Sequence, residues 1–193
     1  MNVRNGRPLA GAVIVSSCSL AILAVGAAEH AAAQDGAPAD SLIAQVRTAT
    51  AAFQDVAAAE AEGWTSTGAC ASGPDFGAMG VHYVNAELLM DGQLDVQRPE
   101  ALMYAPAGDG VEFLGVEYIV IAEDWHANNE APPVLNGQLF NYNPSPNRFG
   151  LPAFYALHVW AWRENPNGSF ANWNPDVKCD EYVAEAAGPP DEA

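Results

Sequence analysis

The sequence predicts an α+β domain in which one N-terminal helix packs on a largely antiparallel, barrel-like sheet closed by one disulfide. Three observations lead there. Apolar residues recur at helical spacing from about residue 40 to residue 62, and β-rich runs separated by Gly, Pro, Asn and Asp clusters follow from Trp64 onward. No alternation of strands and helices that would call for a parallel sheet is present.

Each element can be justified in order. Arg4 and Arg7 precede an apolar run from Leu9 to Ala28, and Ala31-Ala32-Ala33 offers small residues for cleavage before Gln34, so residues 1–33 read as a secretory signal. A membrane anchor fits less well, because Ala, Gly and Ser dilute the run and a cleavage site follows it. Lipid attachment at Cys18 fits poorly too, since the apolar run continues through Leu20, Ile22 and Leu23. Residues 34–39 form a mobile leader, 40–183 the single domain and 184–193 a disordered acidic tail. Asp40 or Ser41 caps a helix to Glu62 whose Leu42, Val46, Ala49, Phe53, Val56 and Ala57 form the packing stripe, with Gly63 as the stop. The strands expected after it are Ala78–Val84, Ala101–Ala105, Val111–Ala122, Gln138–Tyr142 and Phe154–Arg163. The Asn-rich run from Asn165 to Pro175 reads as a long structured loop, with turns capped by asparagine or one wall of a site.

Signal cleavage removes Cys18, and the two cysteines left in an exported chain, Cys70 and Cys179, are most simply a disulfide. Closing so long a span is worth ~4–5 kcal/mol by chain entropy. A redox or metal-binding thiol pair would need a C-x-x-C spacing that the sequence lacks.

Acids outnumber bases 24 to 7, for a net charge of −17, and cleavage leaves 23 acids and 5 bases, or −18. Such a chain repels nucleic acid and anionic membrane, so neither is expected as a partner after export to the periplasm or the medium. A small-molecule ligand remains.

Strand parity then singles out three residues. His82 points with Gly80 and Val84; Glu117 with Phe113, Gly115, Ile119 and Ile121; His158 with Phe154, Ala156, Trp160 and Trp162. Each is an ionisable group on an apolar face, where a partner is required. Two imidazoles and a carboxylate are a recurring ligand set for zinc and for non-haem iron, with Glu100 and Tyr83 as candidates for a supporting role. The competing account pairs each histidine with a backbone carbonyl and Glu117 with Arg98 or Arg163. Convergence of the three side chains within about 3–5 Å would separate the two. Glu100 and Glu117 could also form a glycosidase pair, and His126 reads as an exposed loop residue. The aromatic residues Tyr83, Tyr104, Tyr118, Tyr155, Trp160, Trp162 and Trp173 read first as core, and otherwise as walls of a pocket for an apolar ligand.

No G-x-S-x-G elbow, P-loop, Rossmann fingerprint, H-E-x-x-H, EF-hand or C-x-x-C-H motif occurs, and the disulfide would consume the cysteine that blue copper needs. The segments Gly77-Ala78-Met79-Gly80-Val81-His82-Tyr83-Val84-Asn85, Pro99-Glu100-Ala101-Leu102-Met103-Tyr104, Gly115-Val116-Glu117-Tyr118 and Leu157-His158-Val159-Trp160-Ala161-Trp162, ending in Asn174-Pro175 and Cys179, resemble a group of exported bacterial proteins of uncharacterised function. The resemblance spans about residues 49–179 and implies no activity. The sequence therefore supports an exported metal-binding protein, with a non-catalytic module for a small apolar ligand or an envelope structural protein as alternatives.

Overall fold

The computed structural model describes Met1 and residues 41–73, 75–108, 110–180 and 182; the expected signal, leader and acidic tail lie outside these residues. The Ser41 hydroxyl accepts from the Ala44 N–H at 3.2 Å and caps α1, Leu42–Thr50. Instead of one helix to Glu62, the chain makes a 3₁₀ turn over Ala51–Gln54 and restarts as α2, Val56–Ala61. The cause lies in tertiary partners at the break. Tyr104 donates its hydroxyl to Phe53 O at 2.6 Å, Trp162 Nε1 donates to Thr50 Oγ1 at 3.1 Å, and the Asp55 carboxylate accepts from Ala57 N at 3.0 Å. The bonds to Phe53 O and from Ala57 N satisfy backbone groups that a continuous helix would have paired internally. Leu42, Val46 and Phe53 still pack on the sheet as the stripe predicts.

The remaining elements are β1 (Thr65–Gly73), β2 (Gly77–Val84), α3 (Ala86–Leu89), β3 (Ala101–Ala107), β4 (Gly110–Ile121), α4 (Ala122–His126), β5 (Val134–Leu135), β6 (Gln138–Leu139), β7 (Asn141–Asn143) and β8 (Phe154–Val159). Six of the strands form a curled half-barrel in the order β1-β2-β3-β4-β8-β7, antiparallel at every pairing. The fold class is therefore the α+β arrangement that the sequence predicts.

Local departures have identifiable causes. β1 carries no strand signal because Gly, Ser, Ala and Thr dominate it and it is mostly exposed; pairing with β2 supplies what propensity does not. Asn136 and Gly137, both at positive φ, turn β5 into β6, so the strand expected over Gln138–Tyr142 is divided between this hairpin and β7. β8 stops at Val159 rather than Arg163. There the Trp160 N–H turns to Ser169 O, and the Trp162 and Arg163 N–H groups both reach Leu114 O. Cys70 and Cys179 form the disulfide, with Cα atoms 5.7 Å apart, and fasten β1 to the C-terminal segment. Such a bond belongs to chains that fold outside a reducing cytoplasm. No helix of the described residues is long and apolar enough to cross a membrane.

The sheet has two unlike faces. On the first, Val81, Tyr83, Leu102, Tyr104, Val116, Tyr118, Leu157 and Val159 pack with Leu42, Val46 and Phe53 in the main core. On the second, Met103, Ala105, Leu114, Trp160 and Val177 cluster at one end, and Ala101, Ile119, Ile121, Phe154 and Ala156 at the other. A bulge separates part of β4 from the expected alternation: Met103 pairs with Gly115 but Tyr104 pairs with Phe113. The extra residue, Leu114, turns Phe113 to the helix-covered face, away from Glu117. Trp162, beyond the end of β8, likewise packs against the main core and leaves the face of His158.

Candidate metal centre

The second face carries His82 on β2, Glu117 on β4 and His158 on β8, between its two apolar clusters. Register explains why they meet. Glu117 is directly opposite His158 on one side and Ala101 on the other, while His82 is opposite Met103 on β3. Ala101 is a small residue in the intervening strand, so the His82 ring can pass over β3 to reach the carboxylate. Strands lie about 4.8 Å apart, and only a long side chain leaning over a short one bridges two such intervals. Glycine tightens the arrangement two residues before each of two of these groups. A Cβ on Gly80, at φ +93°, would lie 2.3 Å from Tyr104 O, and one on Gly115 would lie 2.1 Å from Val159 O.

The distances fit an ion. His82 Nε2 lies 3.2 Å from Glu117 Oε2, His158 Nε2 lies 3.6 Å from Glu117 Oε1, and the two imidazole planes meet at 84°. One ligand atom from each of the three lies within 4.8 Å of the others. Ligands bound at about 2.0–2.1 Å around a tetrahedral zinc would be separated by about 3.3 Å. All three residues are buried, at 7%, 7% and 2% exposure for His82, Glu117 and His158.

Their hydrogen bonding is incomplete. His82 Nε2 and both ring nitrogens of His158 are buried without a hydrogen-bond partner. His82 Nε2 and Glu117 Oε2 are close without forming a hydrogen bond of ordinary geometry. The Asn172 side chain, which accepts from Asn141 Nδ2 at 3.0 Å, favours the charged form of His158 without closing a bond of ordinary geometry. A neutral imidazole always presents one N–H and one bare nitrogen, so His158 holds both a donor and an acceptor out of water. A cation would take the bare nitrogens, leaving the other N–H of His158 facing Asn172, as ligating histidines require.

Electrostatics agree with a site for a cation. Burial pushes the Glu117 carboxyl up, but His158 and His82 outweigh it and hold it below the usual carboxylate range. Burial pushes the His158 imidazole below its ordinary value, with Glu117 opposing and His82 reinforcing. A carboxylate and a neutral imidazole are the protonation states a metal needs. The cluster of His82, Glu117 and His158 could therefore hold a metal ion.

The competing pairings do not form. Arg98 pairs with Asp91 at 3.7 Å and Arg163 with Glu112 at 3.1 Å, leaving Glu117 to the histidines. Glu100 is 1% exposed, and its Oε2 accepts from Ile119 N at 2.8 Å. Continuing the β3–β4 register would place Pro99 opposite Ile119, but the Pro99 carbonyl accepts from Trp64 Nε1, and the Glu100 carboxyl takes its place. Burial raises the Glu100 pKa to about 8, with smaller contributions from Asp91 and Glu117. Tyr83 alternates to the helix-covered face, with its ring 4.9 Å from that of Tyr104, so it does not join the cluster. His126 ends α4, exposed as expected, with Nδ1 2.8 Å from Asn129 O and Nε2 3.0 Å from the Tyr155 hydroxyl.

Beside the cluster opens a cleft of about 470 Å³. His82 and Glu117 line it together with Val84, Leu89, Ile119, Leu151 and Phe154, and Arg148 and Phe149 also contribute. The expected walls of tyrosine and tryptophan are not found, because Tyr83, Tyr104, Tyr118 and Tyr155 belong to the main core. Sequence reasoning missed Asn172 and Arg148, whose segments contain turn formers and no periodicity. The signal that was available for Arg148 is scarcity, since it is one of five bases outside the predicted export segment.

No protein-family model, curated protein or solved structure matches this chain.

Proposed function

We propose that this is an exported protein of the periplasm or the medium that binds a divalent transition metal, zinc or iron, through His82, Glu117 and His158. The observation that carries this reading is three buried ring nitrogens without hydrogen-bond partners beside the buried Glu117 carboxyl. Unpartnered buried polar atoms are costly in a structural core, and an ion would take one nitrogen of each imidazole, leaving only the second nitrogen of His158 to its neighbour Asn172. Three protein ligands leave a coordination position for water or a ligand, the arrangement of sites that do more than hold a fold together. The cleft beside His82 and Glu117 supports a small molecule as the partner, in keeping with an acidic surface that disfavours nucleic acid.

Elemental analysis of protein purified without a histidine tag tests the reading. One equivalent of metal is expected, with the melting temperature falling in chelator for the native chain and unresponsive to chelator in His82→Ala. Absence of stoichiometric metal, together with identical melting of native and variant chains in metal and in chelator, would remove the proposal.

A second reading, a non-catalytic module for a small apolar ligand, is favoured by the same cleft. It would stand if ligands bound equally well with and without metal.

A further inference from the structure

Among the described residues, Arg98 and Arg163 each face a carboxylate, whereas Arg148 forms no ion pair. Its position at the cleft makes that difference informative. Arg148 Nη1 donates to Ser72 O at 3.0 Å, and the guanidinium lies over the rings of Phe149 and Trp173, 5.9 and 5.7 Å from their centroids. These contacts hold the group in place without neutralising it, and most of its five N–H donors remain for something else. The chain carries 24 acids, so an arginine lacking one is not explained by any shortage of partners.

Apart from Arg148, His82, Glu117 and Thr67, the cleft is lined by apolar residues, among them Leu89, Ile119, Leu151 and Phe154. The cleft thus offers a cation at its exposed rim, hydrocarbon along its sides, and His82 with Glu117 on its floor.

We infer that the cleft takes a small apolar monocarboxylate, its carboxylate paired with Arg148 and its body on the apolar walls, with the far end turned to His82 and Glu117. The inference rests on the metal reading for what lies on the floor, and adds the class of ligand. The acidic surface strengthens the requirement for Arg148. A net charge of −17 repels anions at long range, but that field is screened beyond about 8 Å in physiological salt, so a local guanidinium decides recognition. A fork of donors matches a carboxylate in two parallel hydrogen bonds, which a neutral or cationic head group cannot reproduce.

Three probes with one tail test this: octanoate, octanol and octylamine, titrated by calorimetry into the full mature protein, with metal content measured in every sample. Octanoate is expected to bind at least 10-fold more tightly than octanol, and octylamine more weakly than both. Arg148→Gln should weaken octanoate roughly 10-fold, at the low end for a charge-assisted hydrogen bond on an exposed group, and leave octanol and the metal content unchanged. Arg148→Lys should restore part of the loss, which guards against a merely disturbed loop. Equal affinity for octanoate and octanol would overturn the inference, and so would octanoate binding that chelator abolishes and Arg148→Gln leaves intact, because the carboxylate would then sit on the ion. Stoichiometric metal with no preference for octanoate defeats this inference alone. Arg148-dependent octanoate binding in protein that takes up no metal defeats the metal reading alone.

Discussion

The two faces of the sheet treat polar groups in opposite ways. On the helix-covered face, the buried tyrosines find acceptors: Tyr104 donates to Phe53 O at 2.6 Å and Tyr118 to Val96 O at 2.7 Å. On the other face, His82 and His158 keep three buried nitrogens unpaired next to Glu117. Both faces are flanked by well-buried aliphatics, so a general looseness of packing does not account for the difference. One face spends its polar groups on fixing the fold, and the other leaves a cluster that could hold a metal ion. A buried polar cluster on a structural face should tolerate no change, whereas one reserved for an ion should matter to stability only when the ion is there.

The largest expected effect tests the structural face. Leu102→Ala, fully buried among Val81, Tyr104 and Val116, should lower unfolding free energy by about 2–5 kcal/mol in denaturant titrations, whether metal or chelator is present. Glu117→Gln should behave differently. It keeps the shape of the side chain while weakening its hold on a cation, so it should cost little in chelator. Metal at 100 times its Kd should stabilise the native chain by about 2.7 kcal/mol, and Glu117→Gln should lose that gain. If Glu117→Gln instead destabilises the chelated protein as strongly as Leu102→Ala, the two faces do not differ in kind.

A third test returns to the tyrosines. Tyr104→Phe removes only a hydroxyl, but it strands the Phe53 carbonyl at the break between α1 and α2. The expected cost is about 2 kcal/mol, measured by equilibrium unfolding and independent of metal. A cost near zero would mean that the 3₁₀ break does not depend on that bond.

These contrasts were partly legible in the sequence. Period-2 alternation placed His82, Glu117 and His158 on apolar faces because β2, β4 and β8 are regular where those residues lie. The same rule failed at Phe113, since a bulge at Leu114 is a backbone event that alternation does not encode. It failed again past Val159, where Ser169 and Leu114, distant in sequence, take the backbone bonds that would have extended β8. The break after Thr50 was invisible for a similar reason: Tyr104 and Trp162, more than 50 residues away, impose it on a stretch with good helical propensity. That the three ionisable groups share one site depends on strand order, and on a small residue at Ala101 between two of them. Neither is a local property. Asn172 reaches the cluster, and Arg148 the cleft beside it, from loops, where sequence carries composition but no direction.

The smallest expected effect concerns the buried carboxyl of Glu100. Glu100 is buried, bonds the Ile119 backbone and has its pKa raised by burial from the ordinary 4.5 to about 8. The folded chain therefore keeps a proton that the unfolded chain releases, and the stability this group contributes is complete below about pH 4.5 and lost as pH rises through about 8. His158 acts in the opposite sense. Its pKa is lowered on folding, so its contribution is present above 6.5 and lost as pH falls through the folded value. Between pH 4.5 and 6.5 the two oppose each other; above 6.5 Glu100 acts without that opposition. Chelated protein should accordingly lose about 1.5 kcal/mol between about pH 6.5 and 8, at a slope approaching one proton, or about 1.4 kcal/mol per pH unit. Glu100→Gln retains an acceptor for Ile119 and cannot ionise, so urea titrations of this variant should show stability nearly flat across the same interval. An undiminished slope in Glu100→Gln would place the titrating group elsewhere, and would leave Glu117 with a second charged carboxylate beside it rather than as the single negative charge of the site.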